Sequence, residues 1–351
     1  MKHGAVSLPM RCRHAVVAAS SLLAILVLSL ALPVGCEDSR ARVPTHTCLV
    51  AGLGEDDPLW PILKASARSY VGTARSLQVQ FVAPAKSDPA AVADLVFQSL
   101  DRRVRAVCLQ SNGDDATRRL AMDLTQGGRS VVLIGQDMPD TGRFGHVGWD
   151  EREAGKALAA ALKASLRDRT TFMLLHADAA GGIYASRAGG FGVGMQDYTF
   201  LKELHRYDCQ ADPAAALRIF AEQGRRYPNL GGWACLGDWP ARVRLEDLRR
   251  SLPAETSLAV VGALPPVWPL LEQGLCQAAV GTDYGRWGYE AVSLSELAYH
   301  RAVKPGETRR TEPRIVLAEE LDQYKKDWAA WGEGRINPRP PVSQQSIVIP
   351  R

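Results

Sequence analysis

The chain has 351 residues, of which 46% are hydrophobic and 23% are charged, so its apolar mass suffices for one large or two medium cores. Residues 1–36 contain Lys2, Arg11 and Arg13 and no acid, which leaves 39 of the 42 basic residues against 38 acidic residues in the remainder. A body this close to neutral argues against nucleic acid as the main partner.

The N-terminal segment predicts export. Its basic residues precede an apolar run over residues 15–32, which is the pattern of a secretory signal. The run is slightly long for a cleaved signal and slightly short for a spanning helix, so an uncleaved anchor stays open. The run ends in LPVGC, which resembles the processing site of bacterial lipoproteins and implies a lipid on Cys36. No second apolar run of membrane length follows. We therefore expect residues 1–36 to be a signal peptide and the body to lie in the periplasm or cell envelope, with or without a lipid anchor.

Short apolar runs of strand length recur along the body. They are apolar on both parities and often rich in β-branched residues, which favours strands buried on both faces of a sheet. The predicted strands are TCLVAGL at 47–53, LQVQFVA at 77–83, VRAVCLQ at 104–110, SVVLIGQ at 130–136, TFMLLH at 171–176, GGWACLG at 231–237, SLAVVG at 257–262 and RIVLAEEL at 314–321.

Helical patterns lie between these runs. The first, at 87–103, opens on Ser87 or Asp88 with a proline in its first turn, and the second, at 115–128, ends on a glycine pair. A third opens on Asp150, with Glu153 three residues further on as in a capping box. Repeated alternation of strand and helix predicts a parallel sheet with helices on both faces. We interpret the interruption at 141–150 as a crossing between two α/β lobes, and GGFGVG at 189–194 as a site of close helix packing.

The order of these motifs is similar to that of the type I periplasmic binding proteins, specifically the ribose/galactose-type sugar-binding proteins of ABC importers. The resemblance covers about residues 47 to 331. Six segments agree in order and spacing with motifs of that family: DDPLWPILKAS, VVLIGQDMPD, HVGWDEREAGKALAAAL, SRAGGF, ACLGDWPARV and QGLCQAAVGTDYGRWGYEAV.

The resemblance implies an α/β fold of two Rossmann-like lobes with parallel sheets, joined by three crossings and holding a ligand in the cleft between the lobes. It assigns residues 45–148 and 284–311 to an N-terminal lobe, residues 149–283 and 312–331 to a C-terminal lobe, and 332–351 to a proline-rich tail. Open α/β sheets bind ligands at the carboxyl ends of their strands. Aromatic rings, carboxylates and arginine are the groups that hold sugars. The implied ligand-binding residues are Asp57, Trp60, Asp137, Tyr184, Arg187, Asp238 and Asp283.

Most of these residues also have a purely structural interpretation. Asp57 before Pro58 suits a helix cap, as does Asp238. Trp60 suits packing within its own lobe, Asp137 suits a turn, and Arg187 suits a solvated helix surface.

Several family positions are substituted here. The family asparagine before Pro58 is Asp57, and the asparagine before Asp238 is Gly237. Met138 stands for an arginine, Thr282 for a glutamine, and Gly262-Ala263-Leu264 for Gly-Phe-Asp. At least three hydroxyl partners are therefore absent, each contributing about 0.5–1.5 kcal/mol. We expect either a different ligand or weakened binding of the family's sugars.

The leading functional interpretation is a monomeric solute-binding protein that delivers a sugar-like molecule to an ABC permease. A periplasmic sensor that presents its ligand-loaded form to a receptor kinase is the alternative within the same fold. An enzyme acting on carbohydrate is less favoured, because the sequence contains no nucleophile elbow, phosphate-binding loop or metalloprotease motif. No CxxC pair is present, and we expect no catalytic residue, cofactor or metal.

Overall fold

The computed structural model describes residues 46–71, 77–166, 171–177 and 182–336. The predicted signal, Cys36 and most of the proline-rich tail lie outside these ranges. The described residues all belong to one compact unit. None of the helices in these ranges is long and apolar enough to cross a membrane.

The first sheet has six strands, and all its pairings are parallel. Five strands precede residue 150 and the sixth comes from near the end of the chain, so the two parts of this lobe are joined by hydrogen bonds. The strands are β1 (His46–Ala51), β2 (Leu77–Val82), β3 (Val104–Ser111), β4 (Ser130–Gly135), β5 (Gly145–Trp149) and β11 (Glu307–Thr311). Their order across the sheet is β2-β1-β3-β4-β5-β11.

The second sheet repeats this arrangement. Its strands are β6 (Thr171–His176), β7 (Lys202–Asp208), β8 (Gly232–Cys235), β9 (Ser257–Val261), β10 (Ala278–Gly281) and β12 (Arg314–Leu317). The order is β7-β6-β8-β9-β10-β12, and only the pairing of β10 with β12 is antiparallel. In both sheets the first strand lies between the second and the third, which is the doubly wound order with its switch point beside the first strand.

The chain passes from one sheet to the other three times. It leaves the first sheet after Trp149, returns after Gly281, and crosses again between Thr311 and Arg314. The predicted fold class, two α/β lobes with predominantly parallel sheets, is therefore confirmed.

Helices cover both sheets, and their caps follow the sequence signals. Asp88 accepts hydrogen bonds from the amides of Ala90 and Ala91, Gly127 and Gly128 follow the end of the next helix, and Asp150 accepts from Arg152 N and Glu153 N. The helices are α1 (Trp60–Val71), α2 (Pro89–Ser99), α3 (Asp115–Gln126), α4 (Glu151–Leu166), α5 (Gly182–Met195), α6 (Pro213–Arg226), α7 (Leu245–Ser251), α8 (Trp268–Glu272), α9 (Trp287–Tyr299) and α10 (Leu321–Gly332).

The glycines of α4 and α5 allow the two helices to touch along their backbones. A Cβ added at Gly155 would stand 2.0 Å from the carbonyl oxygen of Arg187, and one at Gly190 would stand 1.8 Å from that of Arg152. The predicted close helix packing at 189–194 is confirmed. It matters for the site because it sets Arg187 of α5 opposite Glu151 of α4.

Four strands were missed by the sequence patterns. The interruption at 141–150 contains β5, whose glycines break the apolar run, and the four-residue β10 was too short to stand out. The edge strand β7 and the sheet-end strand β11 have partly exposed, polar sequences, KELHRYD and ETRRT. A strand with one edge toward water needs no continuous apolar run, so its sequence does not show the buried-strand pattern.

Candidate functional site

The carboxyl ends of both sheets supply the candidate site. The loops after β1 and β3 flank the switch point of the first sheet, and those after β6 and β8 flank that of the second. Ligands of doubly wound sheets bind in such crevices.

The acidic loop after β1 is held entirely by its own lobe. Asp57 Oδ1 accepts from the amide of Leu59 at 2.7 Å, and Gln110 Nε2 at the end of β3 donates to Asp57 Oδ2 at 3.0 Å. The Oε1 of the same glutamine accepts from Leu53 N at 3.1 Å, so Gln110 ties both ends of the loop to β3. Burial raises the pKa of the Asp57 carboxyl, and neighbouring Asp56 adds to the effect.

The aromatic residue of this loop does not face the cleft. Trp60 is fully buried, its ring lies against the backbone of Gly52, and its edge meets the ring of Phe81 at a centroid distance of 6.1 Å. The ammonium of Lys64 lies 5.1 Å from the Trp60 ring centroid. In this conformation Trp60 offers no surface for a sugar ring, which corrects the expectation that it is a stacking platform. Its position at the start of α1 drives it into the core of the first lobe.

Asp137, after β4, pairs with a buried arginine. Arg143 Nη2 donates to Asp137 Oδ2 at 2.6 Å and its Nε to the other carboxylate oxygen, while Thr308 Oγ1 lies 3.3 Å from Arg143 Nη2. His146 Nδ1 lies 3.8 Å from Asp137 Oδ2, and its Nε2 lies 2.8 Å from the carbonyl oxygen of Gly135. Burial lowers the pKa of His146, which outweighs the opposing effect of Asp137.

Arg187 is the most enclosed charge of the predicted set. Its side chain is 10% exposed; Nε donates to Glu151 Oε2 at 2.6 Å, and Nη1 donates to the carbonyl of Leu236 at 2.7 Å. The guanidinium carbon lies 5.7 Å from the ring centroid of Trp149 and 5.4 Å from that of Tyr184. The interpretation of Arg187 as a solvated surface charge is therefore wrong. Glu151 and Trp149, which complete this arrangement, were not among the predicted site residues.

Tyr184 and Asp238 lie beside this ion pair in the second lobe. The rings of Tyr184 and Trp239 are 5.1 Å apart, and burial raises the pKa of Tyr184. Asp238 accepts two hydrogen bonds from Arg242, at 3.1 and 3.2 Å. Burial is the main cause of the raised pKa of Asp57, and the charge of Arg242 in the second lobe opposes it.

Asp283 lies at the second crossing, directly before Tyr284. The Tyr284 ring lies 6.3 Å from that of Trp149 and 4.9 Å from that of Trp287, so aromatic side chains from the first two crossings meet. Burial raises the pKa of Tyr284. Asp283 is therefore part of the connection between the lobes.

A cavity of about 370 Å³ opens between the lobes. The first lobe contributes Gln136, Asp137 and Trp149, and the second contributes Glu151 and Ser186. Asp137 is the predicted site residue that lines it directly; Arg187 lies behind its wall through Glu151 and Trp149. The remaining predicted residues do not line this cavity. Gln136 could have been found from sequence, since it follows the same strand as Asp137.

No metal chemistry is indicated in the described ranges, which contain no group of three or more His, Cys, Asp or Glu side chains able to hold a metal ion. The carboxylates at Asp137, Glu151 and Asp238 are each paired with an arginine. The side chains of this cavity can donate hydrogen bonds to, and accept them from, a small polar molecule between the two lobes.

Two lobes of doubly wound order with three crossings and an interlobe cavity define a type I periplasmic binding fold. The chain belongs to the periplasmic binding protein domain family, whose model matches residues 55–298. No curated protein sequence matches the chain significantly.

Solved structures support this assignment at the level of the fold. A sugar-binding protein of a sugar ABC transporter from Bacillus halodurans is 16% identical, with a TM-score of 0.68, covering 80% of this chain and 99% of that one. The arabinose binding protein AraP from Geobacillus stearothermophilus is 15% identical, with a TM-score of 0.68 and the same coverage. An ABC transporter solute binding protein from Burkholderia graminis C4D1M, in complex with D-arabinose, is 16% identical, with a TM-score of 0.65, covering 80% of this chain and 98% of that one.

Proposed function

We propose that this protein is an exported solute-binding protein that captures a sugar or sugar-like small molecule between its lobes and delivers it to an ABC import permease. The observation that carries the proposal is the cavity at the carboxyl ends of both sheets, lined by polar side chains from both lobes. Similar structures have bound D-arabinose, D-allose and D-fucose.

The binding groups would be those that retain free lone pairs or donors beside the cavity. Asp137 and Glu151 are each fixed by an arginine of the same lobe, and Gln136 and Ser186 offer neutral hydrogen-bonding groups. If the two lobes close around a ligand, four more side chains would complete the site: Asp57, Asp238, Tyr184 and Arg187. Side chains that are already oriented lose little entropy when a ligand binds. Binding rather than turnover is the expected outcome.

A thermal-unfolding screen tests the proposal. It should cover monosaccharides, polyols, nucleosides and short oligosaccharides, with each neutral monosaccharide matched by its uronic acid. A true ligand at 100 times its Kd raises the free energy of unfolding by about 2.7 kcal/mol. Absence of any stabilising compound would refute the proposal, and consumption of the bound compound, followed by NMR, would indicate an enzyme instead.

A variant pair then locates the site. Asp137→Asn should weaken binding of the compound found, because the asparagine amide replaces one of the two acceptor oxygens with an NH2 donor and so leaves fewer acceptors for Arg143 and a ligand hydroxyl. Asp123→Asn is the matched control, since Asp123 is an exposed acid on α3 of the same lobe. Equal affinities in both variants would exclude this cavity as the binding site.

A further inference from the structure

A second cavity, of about 380 Å³, lies on the first lobe and is lined by arginines. Arg102 and Arg103 directly precede β3, Arg105 is the second residue of β3, and Arg301 follows the end of α9. Tyr299, the last residue of α9, and Ser130, the first residue of β4, complete its polar walls. We call these four arginines and their cavity the arginine pocket.

The arginine pocket carries a strong net positive charge. Asp101 pairs with Arg103 at 3.2 Å, and no acidic residue lines the cavity. Among the described residues, Arg102, Arg105 and Arg301 have no acidic partner within salt-bridge distance, and all three are exposed. Elsewhere on the surface, Arg206, Arg218 and Arg250 each lie within 4.0 Å of an acidic side chain. A pocket of guanidinium groups with polar walls suits a phosphate group.

The location of the arginine pocket identifies where the phosphate would come from. The arginine pocket lies at the amino ends of β3 and β4, whereas the ligand cavity lies at the carboxyl ends of the strands. The two cavities are therefore at opposite ends of the strands of the first sheet, and this amino-terminal end is the edge meant below. The chain enters the body at the same edge as the pocket, because His46 begins β1 and its ring stacks on Tyr299 at a centroid distance of 3.8 Å.

Chain length limits how far this edge can lie from a membrane anchor. Cys36 precedes His46 by ten residues. An extended chain spans at most about 3.6 Å per residue, so a lipid on Cys36 would keep the edge within about 36 Å of the bilayer surface.

We infer that the arginine pocket binds phosphate headgroups of an anionic membrane surface. The inference rests on the proposed location at the cell envelope. Each arginine close to an anionic bilayer strengthens the attachment of the protein to the membrane. This role of the pocket is independent of ligand binding in the cleft.

Amide hydrogen exchange of the full chain in nanodiscs tests this inference. The discs contain either phosphatidylcholine alone or an equal mixture of phosphatidylcholine and phosphatidylglycerol. Peptides covering residues 100–106 and 299–306 should exchange more slowly on the mixed discs, and added salt should reverse the protection. At roughly fivefold per arginine, Arg102→Gln/Arg105→Gln/Arg301→Gln should lower the ratio of bound to free orientations by about 100-fold and abolish the protection.

The matched control removes the same charge from the second lobe. Arg218→Gln/Arg225→Gln/Arg226→Gln changes three exposed arginines of α6 and should leave the protection unchanged. Equal exchange on both kinds of disc, or protection that survives in the pocket variant, overturns the inference. Protection produced on phosphatidylcholine discs by inorganic phosphate alone also overturns it, and identifies a free anion as the occupant. The ligand screen on the pocket variant separates this result from the proposed function, because thermal shifts from the cleft should persist.

Discussion

The buried ion pair between Glu151 and Arg187 allows the site geometry to be tested by its energetics. The two side chains are 15% and 10% exposed and come from helices in backbone contact. Arg187→Leu leaves the Glu151 carboxylate without its cationic partner, and it also frees the Leu236 carbonyl that now accepts from Nη1. Removing one partner of a buried pair costs about 3–5 kcal/mol. We expect a loss of that size in the free energy of unfolding.

A double-mutant cycle separates the pair from the rest of the arginine's contacts. Glu151→Gln removes the charge but retains an acceptor for Trp149 Nε1, which donates to Glu151 Oε1 at 2.9 Å. Because the neutral double variant contains no unpaired charge, its loss should be smaller than the sum of the single losses by about 2 kcal/mol or more. Urea denaturation followed by circular dichroism measures the unfolding free energies of the parent and the three variants, provided that all four share the same dependence of that free energy on urea concentration.

The exposed pair of Arg218 and Asp212, 4.0 Å apart, is the matched control. Its cycle should give a coupling energy below about 0.5 kcal/mol, as is usual for solvated pairs. A coupling energy as small as this for Glu151 and Arg187 would refute the argument that they act as one buried unit. Arg187→Lys provides a milder version of the test, because lysine keeps the charge but cannot donate to Glu151 and to the Leu236 carbonyl in the geometry of the guanidinium.

Three further predictions follow from the same region. Asp57→Asn should lose less stability than the parent as pH rises from 3 to 7: burial raises the pKa of Asp57 in the folded state, so the stability contribution of this carboxyl is fully present below its unfolded pKa and is lost as pH rises through the folded pKa. Comparing variant and parent by urea denaturation near pH 3 and pH 7 checks this, and an equal difference at both would contradict it. His146, whose pKa is lowered by burial, should make stability fall as pH drops below about 6.5, the unfolded value; this part of the acid sensitivity should be absent in His146→Gln. Gly155→Ala should cost about 1–3 kcal/mol, because its Cβ would meet the Arg187 carbonyl at 2.0 Å. Gly192→Ala on α5, where nothing lies within 4 Å, should instead be neutral or stabilising, and equal losses in both variants would exclude the proposed helix contact.

The sequence predicted the fold well because the buried strands are local patterns. β1, β3 and β4 are apolar on both faces, and the helices that follow β2 and β3 begin with the capping residues Asp88 and Asp114. Edge strands such as β7 were not predictable in this way. Their place is set by pairing with β6, a contact between residues about 30 positions apart, rather than by their own composition.

The candidate site was less predictable, because side-chain direction depends on the rest of the fold. Asp57 is a plausible ligand residue by position, yet its two oxygens are already used by Leu59 and Gln110, and Gln110 is 53 residues away. Trp60 turns into the core because Gly52 leaves room for its ring. Glu151 was missed since its role depends on Arg187, which the glycine contact between α4 and α5 brings opposite it.

The paired charges around the cavity restrict what kind of ligand we expect. Asp137, Glu151 and Asp238 are each neutralised by an arginine of the same lobe, so an anionic ligand at any of these three pairs would have to compete with a carboxylate for the guanidinium. That exchange leaves a carboxylate unpaired in a partly buried site, at a cost of several kcal/mol. A neutral polyhydroxylated ligand instead donates to the remaining lone pairs without disturbing any ion pair. We therefore expect a neutral sugar or polyol to bind more tightly than its uronic acid, even though several of the family's hydroxyl partners are replaced in this chain.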